Sequence, residues 1–327
     1  MKAMVYLRYG SPDVLELREV EKPVPADNEV LVKVHAVSLN YADVALMGSR
    51  GGKPLVARLM GQGLFKPKTK ILGSDIAGTV EAVGASATQF KPGDAVFGDL
   101  SGHGRGGLAE YAAAPQEVFA LKPANVTFEQ AATIGIAGIT ALQGLRDVGH
   151  IQAGEQVLIH GATGGVGSFA VQIAKAYGAE VTAVCSTDKV DMAQAMGADH
   201  IIDYTREDFA QSGRRYDLIL AVNGSRSLAD YRRVLKPQGR HVVAGGSLRQ
   251  IFEAMIRGPR LSKEGGQQIG NVNHHTVQED LVFMAELMEA GKVVPVIEGP
   301  YPLAEAAEAF RRVIDGRVRG KAVITVA

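Results

Sequence analysis

A glycine-rich segment between a strand and a helix constrains the fold of this 327-residue chain more than any other feature. It follows the apolar run 156–160 and precedes a helical pattern over 166–177. Glycines permit a tight turn there and let backbone N–H groups approach a pyrophosphate at the positive end of the helix. We therefore predict a dinucleotide-binding turn, although a glycine-rich connection that binds nothing is the alternative. The predicted contacts are Gly161, Thr163, Gly164, Gly165, Val166 and Gly167.

Strands and helices alternate after this turn. The pattern predicts strands at 180–184, 200–202, 217–222, 240–244 and 267–272. It predicts helices at 188–196, 228–235 and 276–290. Such alternation is typical of βαβ units and predicts a doubly wound parallel sheet, the Rossmann arrangement of an α/β protein. The first third of the chain instead carries β-branched runs at 30–37 and 76–83, which predict β structure.

Composition excludes several classes of protein. The 35 acidic and 35 basic side chains cancel, so no overall charge attracts nucleic acid. A single cysteine, Cys185, excludes an internal disulfide and a thiolate-rich zinc site. The first apolar run is too short for a signal peptide and no stretch is suited to span a bilayer, so we expect a cytoplasmic protein.

The end of the second strand of this alternation bears on the choice of nicotinamide cofactor. An acidic residue there holds the ribose hydroxyls of NAD, but Cys185 stands in its place. Ser186 and Lys189 suit a 2′-phosphate, and Tyr204, after the third strand, is a further candidate contact. Asp188 is unfavourable for a phosphate unless it caps the next helix. We therefore predict NADPH, with a solvated lysine and a surface tyrosine as the structural alternatives.

Six motifs spread over the whole chain resemble those of the medium-chain dehydrogenase/reductase superfamily. They are Asn40-Tyr41-Ala42-Asp43, Gly73-Ser74-Asp75-Ile76-Ala77-Gly78, Phe90-Lys91-Pro92-Gly93-Asp94-Ala95-Val96, Gly107-Leu108-Ala109-Glu110-Tyr111, Gly161 to Gly167 and Arg319-Gly320-Lys321-Ala322-Val323. The resemblance implies a Rossmann domain at 123–292, inserted into a GroES-like β-rich catalytic domain at 1–122 and 293–327. The predicted cofactor contacts also include Thr140, Asn223, Gly245 and Lys321.

Zinc-binding members of this superfamily hold a catalytic metal with a Cys, a His and a Cys. The corresponding residues here are Asn40, Ser74 and Ile136, which are not a zinc ligand set. The resemblance is therefore to the quinone reductase branch, which works without metal. Alcohol oxidation is disfavoured without a Lewis acid, whereas a quinone or an enone accepts hydride at carbon and delocalises charge onto oxygen. We predict a zinc-independent, NADPH-dependent reductase of such small molecules.

Three residues carried over from these motifs are the predicted catalytic residues. Asn40 can donate an amide N–H to the developing oxyanion, and Tyr41 can supply a proton or a hydrogen bond. Asp43 can orient a neighbour. Each has a structural alternative: a turn residue, core packing and a helix cap, respectively. For Thr140, the alternative is an ordinary helix residue.

Other interpretations stay open. A non-catalytic NADPH-binding protein with a redox-sensing or structural role would share every motif, and a zinc alcohol dehydrogenase would need a metal. We also expect a homodimer, with 267–272 as a possible edge strand. The basic and partly apolar segment 50–70 is interpreted as a lid over the substrate, and peripheral contact with an anionic membrane is the alternative.

Overall fold

The computed structural model describes residues 1–48, 63, 66–222, 226–246, 250, 252–256, 258 and 266–326. The chain divides into two compact units. The first consists of Met1–Ile136, Thr276–Ala290 and Pro295–Ala327, and the second of Ala137–His275 and Gly291–Val294. Most of the predicted lid segment 50–70 lies outside the described residues.

The described elements follow the predicted order of a β-rich region, an alternating region and a final helix and strand. The strands are β1 (Lys2–Tyr6), β2 (Leu15–Glu19), β3 (Glu29–Ser38), β4 (Asp75–Val83), β5 (Ala95–Asp99), β6 (Tyr111–Pro115), β7 (Phe119–Leu121), β8 (Gln156–His160), β9 (Glu180–Cys185), β10 (His200–Asp203), β11 (Tyr216–Ala221), β12 (Leu235–Val243), β13 (Gln268–Asn271), β14 (Ile297–Pro302) and β15 (Lys321–Thr325). The α-helices are α1 (Tyr41–Met47), α2 (Phe128–Ala131), α3 (Ile139–Gln143), α4 (Gly165–Ala176), α5 (Val190–Ala195), α6 (Leu228–Val234), α7 (Gln278–Glu289) and α8 (Ala306–Ile314).

A seven-stranded sheet organises the first unit. Its order is β14-β15-β3-β4-β5-β7, and β6 also pairs with β3. Strand β15 lies antiparallel to β3, with Val323 opposite Ser38. Apolar side chains of these strands, among them Val32, Val34 and Ile324, form the core of the unit. Because β15 returns to β3, the late residue Lys321 belongs to the same sheet as the early motifs.

A six-stranded sheet organises the second unit. Its order is β10-β9-β8-β11-β12-β13, and all neighbouring strands are parallel. The chain therefore moves outward from β8 in one direction and then continues on the other side of it, with α4, α5 and α6 as crossovers. Residues 157–160 of β8 are buried, as expected for a central strand covered on both faces. The doubly wound parallel sheet predicted from the alternation is confirmed.

Helix α7 belongs to the first unit, whereas the boundaries predicted from the sequence place it in the Rossmann domain. Gln278 donates its side-chain N–H to the carbonyl of Phe119 at 2.7 Å. Asn125 donates to the carbonyl of Glu289 at 3.0 Å. These bonds attach both ends of α7 to the β-rich unit. The two compact units divide after residues 136, 275, 290 and 294, and the predicted domain boundaries at 122 and 292 stay a prediction.

Three local features concern the helical patterns in the sequence. Asp188 lies inside a 3₁₀ turn, Thr187–Lys189, and α5 begins only at Val190, so Asp188 does not cap this helix. Helical spacing of small and apolar residues over 128–145 predicts a helix broken by glycines, and the helical region is interrupted at one of them, Gly135, where φ is −26° and ψ is −109°. Leu235, the last residue of a predicted helix, begins β12. Among the described helices, none has the length and apolar character needed to cross a membrane.

Candidate cofactor site and active site

The glycine turn after β8 is held by the neighbouring strand β9. Gly161 has a φ of 85°, which side chains of L residues rarely permit. The N–H groups of Gly161 and Ala162 both donate to the carbonyl of Val184, at 3.2 and 3.1 Å. Thr163 is buried within the turn. Backbone geometry therefore determines the shape of the turn, and β9 determines its position.

The N-terminus of α4 provides the space and the donors that a pyrophosphate needs. A Cβ on Gly167 would lie 2.1 Å from the Gly161 carbonyl oxygen, so glycine is required where the helix approaches the turn. A Cβ on Gly164 would lie 3.7 Å from that oxygen, in otherwise open surroundings among the described atoms. Ser168 donates the first helical bond, to Gly164 at 2.9 Å. The three preceding N–H groups have no acceptor within the helix, so the turn fits the diphosphate of a nicotinamide nucleotide.

The end of β9 carries groups of both charges. Cys185 is buried, and burial raises the pKa of its thiol to about 11. Ser186 donates its hydroxyl to Asp188 at 2.5 Å and accepts the Lys189 N–H on its carbonyl at 3.0 Å. Tyr204 is 57% exposed, and its N–H donates to the carbonyl of Cys185 at 3.0 Å. The three predicted phosphate contacts therefore surround one strand end, together with the carboxylate of Asp188.

The remaining predicted cofactor contacts of the second unit have different surroundings. The Thr140 hydroxyl, in α3, is buried and lies 3.2 Å from Nδ1 of His274. A Cβ on Gly245 would lie 2.5 Å from the carbonyl oxygen of Val222, so two backbone segments approach closely there. Asn223 lies outside the described residues.

A buried charged cluster lies beside the ends of β3, β4 and β15 in the first unit. Lys321 Nζ is 2.5 Å from Asn40 Oδ1 and 3.3 Å from Asp75 Oδ2. Asn40 Nδ2 donates to the same oxygen of Asp75 at 2.8 Å. All three side chains are buried. The amide of Asn40 is therefore oriented, with its oxygen toward the ammonium group and one N–H toward the carboxylate.

Asp75 is the centre of this cluster. Its Oδ1 accepts the Ile136 N–H at 3.0 Å, and its Oδ2 accepts the Ser38 hydroxyl at 3.3 Å. Burial raises the pKa of the Asp75 carboxyl to about 6, although the ammonium group of Lys321 acts in the opposite direction. A Cβ on Gly135 would lie 2.4 Å from Asp75 Oδ1. Glycine is therefore required for the segment before α3 to reach the carboxylate.

Asp43 forms a second buried centre under the start of α1. Its Oδ2 accepts the Asn40 N–H at 3.0 Å, and its Oδ1 accepts the Gly73 N–H at 3.2 Å. Arg105 donates from Nη1 to Asp43 at 3.3 Å and to the Ser74 hydroxyl at 2.6 Å. Burial raises the pKa of Asp43, and the charge of Arg105 opposes this rise. Asp43 thus caps α1 and orients its neighbours.

Tyr41, the first residue of α1, lies outside these two centres. Its side chain is 63% exposed, so it does not pack in the core. Within the part of the chain that the structure describes, the Tyr41 hydroxyl has no hydrogen-bond partner. Among the same residues, no group of three His, Cys, Asp or Glu side chains could hold a metal ion.

Comparisons with known proteins cover the whole chain. Residues 26–124 match the alcohol dehydrogenase GroES-like domain family, and residues 196–324 match the zinc-binding dehydrogenase family. The quinone oxidoreductase of Homo sapiens is 34% identical, over 97% of this chain and 94% of that protein. A mitochondrial NAD(P)H oxidoreductase of Bos taurus is 34% identical, over 100% of this chain and 89% of that protein. The structure of the quinone oxidoreductase from Coxiella burnetii is 29% identical, with a TM-score of 0.86 over 100% of this chain and 99% of that chain.

The chain belongs to the medium-chain dehydrogenase/reductase superfamily, in its quinone oxidoreductase branch. As a medium-chain dehydrogenase/reductase, it is an oxidoreductase that uses a nicotinamide cofactor. The GroES-like β-rich domain that the motifs implied is confirmed, together with its Rossmann partner.

The charged cluster of this medium-chain dehydrogenase/reductase was only partly visible in the sequence. Asn40 and Lys321 were both predicted as site residues, but in separate roles, and the structure bonds them to each other. Asp75 and Arg105 were not predicted as site residues. Asp75 directly follows Ser74, which the motif resemblance places at a metal-ligand position of zinc-binding members, and Arg105 stands between two glycines in a loop. Those two features were the available signals.

Proposed function

We propose that this protein is a zinc-independent reductase that transfers hydride from NADPH to a quinone or an α,β-unsaturated carbonyl compound. The bonding of Asn40, at the first metal-ligand position of zinc-binding relatives, carries the proposal. Its oxygen is bound to Lys321 and one of its amide N–H groups to Asp75. The second amide N–H is the group that Asn40 can offer, and it is a hydrogen-bond donor rather than a metal ligand.

The match to a zinc-binding dehydrogenase family does not oppose this proposal. That match covers residues 196–324, whereas the three former ligand positions are Asn40, Ser74 and Ile136. Amide, hydroxyl and isoleucine side chains in these positions do not resemble the Cys and His sets that hold zinc. The names of the human and Coxiella burnetii relatives, which are quinone oxidoreductases, support a quinone as acceptor.

The chemistry requires a donor near the acceptor oxygen more than it requires a strong acid. A quinone or an enone takes hydride at carbon, and an electron pair then moves onto oxygen. NADPH supplies the hydride when it is bound. Asp75 and Lys321 hold the amide of Asn40 before the substrate arrives, so its free N–H can stabilise the developing charge without reorganisation. Tyr41 is exposed and is suited to supply a proton.

The choice of NADPH over NADH rests on the end of β9. Lys189 and Tyr204 are positioned around a strand end where the carboxylate that binds a ribose is replaced by the buried Cys185. Asp188 already accepts a hydrogen bond from Ser186, so its oxygens are partly engaged. A phosphate at this position would add a charge-assisted contact to Lys189.

Turnover with a small acceptor panel tests the proposal. We expect NADPH consumption with 1,4-benzoquinone, 9,10-phenanthrenequinone, an alkenal or an alkyl vinyl ketone, and no loss of rate after treatment with EDTA or phenanthroline. Reversible inactivation by chelators, with recovery on addition of zinc, would overturn zinc independence. Tight NADPH binding without turnover of any acceptor would favour a non-catalytic, redox-sensing or structural role.

We also propose a homodimer. Among the described strands, β13 is the last of the parallel sheet, and its outer edge is the one proposed to pair with a second copy. A mass measurement in solution at micromolar concentration tests this, and a monomeric mass would contradict it.

A further inference from the structure

The loop between β5 and β6 holds an arginine in an unfavourable backbone conformation. Arg105 has a φ of 65° and stands between Gly104, at 87°, and Gly106, at 105°. Residues with a Cβ rarely adopt such values, and when they do the conformation is often tied to a function. The Arg105 N–H donates to the carbonyl of Leu100 at 3.2 Å, which closes the loop.

With this backbone conformation, the guanidinium group of Arg105 points into the protein. The Arg105 side chain is only 13% exposed, and its partner Asp43 is fully buried. Nη1 uses both of its hydrogens, toward Ser74 at 2.6 Å and Asp43 at 3.3 Å. Because Asp43 also accepts the N–H groups of Asn40 and Gly73, it is fixed independently of the arginine.

The guanidinium group has more donors than these two bonds use. Arginine carries five N–H groups, and those on Nη2 and Nε of Arg105 have no acceptor among the residues the structure describes. The nearby Tyr6 hydroxyl is buried and has no hydrogen-bond partner in the described chain. The charges of Arg105 and Asp43 both act on this hydroxyl. Unused donors on a mostly buried cation are suited to a negatively charged oxygen of a ligand.

Arg105 and Lys321 each bind a residue that stands at a metal-ligand position of zinc-binding relatives. Ser74 and Asn40 occupy two of the metal-ligand positions of zinc-binding relatives, and each is bonded to one of these cations. Lys321 uses two of its three N–H groups on Asn40 and Asp75, and its side chain is 3% exposed. Arg105 is therefore the more exposed cation of the pair and keeps more unused donors for a substrate.

We propose that Arg105 is a catalytic residue whose guanidinium group binds the acceptor oxygen of the substrate, with Asp43 as its positioning residue. The inference rests on the proposed function. In the reaction, a C–H bond of the reduced nicotinamide breaks and a C–H bond forms at the acceptor carbon. The acceptor is reduced by two electrons and the nicotinamide is oxidised. The electron pair of the acceptor double bond moves to oxygen, where Arg105 stabilises the negative charge, and a proton passed from water through Tyr41 completes the product.

Turnover and chemical rescue test this role. Relative to wild type, Arg105→Ala should lower kcat about a hundredfold, because a charged donor to the oxyanion is lost. Its Kd for NADPH should remain unchanged. Added guanidinium chloride at low, non-denaturing concentration should restore part of the rate to Arg105→Ala. It should not increase the rate of wild type. Arg105→Lys should retain an intermediate rate, since it keeps the charge but not the fork of donors.

Two controls separate this role from a structural one. Arg317→Ala removes an arginine that is 70% exposed in the same unit, and it should leave kcat and the melting temperature unchanged. Asp43→Asn keeps the size of the positioning side chain, and it should lower kcat while guanidinium restores nothing. A folded Arg105→Ala protein with full kcat would overturn the proposal, as would equal rescue of Asp43→Asn.

A binding measurement distinguishes failure of this inference from failure of the proposed function. 4-Nitrophenolate carries an anionic oxygen on a ring, as a reduced quinone does. Its binding to the NADP⁺-loaded protein at alkaline pH is measurable from its absorbance. We expect Arg105→Ala to weaken that binding at least tenfold. If wild type turns over no acceptor, the proposed function fails, and this measurement still decides Arg105. Equal affinity in both proteins would remove Arg105 from the anion site.

Discussion

The glycine turn of the second unit and the charged cluster of the first unit are built by opposite means. The glycine turn, Gly161 to Gly167, consists of seven consecutive residues that run from the end of β8 into the first turn of α4, and its backbone is held by one neighbouring strand, β9. The cluster consists of side chains from distant parts of the chain, and Asn40 and Lys321 alone are separated by 281 positions. Short-range backbone geometry therefore shapes the proposed cofactor turn, whereas tertiary pairing of buried charges shapes the proposed acceptor site. Substitutions in the glycine turn and in the charged cluster should therefore have different effects.

The largest effect is expected at Lys321. Lys321→Met leaves the buried Asp75 carboxylate without its cation, and this should cost about 3–5 kcal/mol of unfolding free energy at neutral pH. Chemical denaturation at several pH values measures the loss. The same substitution at the exposed Lys91 is the matched control.

The pH dependence of this loss has a defined sign. The pKa of Asp75 is raised from 3.8 to about 6 in the folded protein, so the folded state binds the proton more readily than the unfolded state between these values. Stability contributed by this group is complete below the lower value and is lost as pH rises through the upper one. Because Lys321 lowers this pKa, its removal should shift the window upward. The deficit of Lys321→Met should therefore be largest at alkaline pH and smallest near pH 5, and a pH-independent deficit would contradict the assignment to Asp75.

Substitution of two glycines of the turn should affect different properties, protein stability in one case and cofactor binding in the other. Gly167→Ala brings a Cβ to 2.1 Å from the Gly161 carbonyl oxygen, and it should destabilise the protein by about 3 kcal/mol even without cofactor. Gly164→Ala meets open surroundings and should leave the melting temperature nearly unchanged, while it weakens NADPH binding. Thermal unfolding and cofactor titration of both variants check the difference. Normal NADPH affinity in Gly164→Ala would mean that the pyrophosphate does not use this turn.

Substitution of Lys189 should weaken the binding of NADPH but not of NADH. Lys189→Ala should weaken NADPH binding by about 2 kcal/mol and leave NADH binding almost unchanged, because a charge-assisted contact to the 2′-phosphate is lost. Fluorescence titration with both cofactors measures this, and Lys292→Ala, at an exposed lysine, is the control. Equal weakening of both cofactors would remove Lys189 from the phosphate site.

The smallest effects are expected at the two uncharged donors. Asn40→Ala and Tyr41→Phe should each lower kcat about tenfold, less than the loss of a charged donor, because a quinone delocalises its charge well. Enones should suffer more than quinones, since an enone also needs a proton at carbon. Steady-state rates with one acceptor of each class check this order. If both variants keep full rates on every acceptor, positioning of the hydride alone carries the reaction.

The difference between the contiguous turn and the dispersed cluster explains which site residues could be predicted from the sequence. The turn was predicted residue by residue, because strand, glycines and helix are contiguous and each has a local reason to be there. The cluster was predicted only where a family motif marked it, at Asn40 and Lys321. Arg105 carried no such mark, because the pairing of an arginine with Asp43 across 62 positions has no local pattern. The packing of α7 also has no local pattern, since it depends on the side-chain bonds of Gln278 to Phe119 and of Asn125 to Glu289.

The pairing of β15 with β3 also sets an order of events during synthesis. Every residue of the second unit precedes Lys321 in the chain, so the parallel sheet can be complete while the ammonium partner of Asp75 has not yet left the ribosome. Until then Asp75 lacks the ammonium group that it contacts in the complete fold. Strand β15 is therefore the last part of the buried cluster to be synthesised, and the cluster cannot be complete before the chain is almost finished.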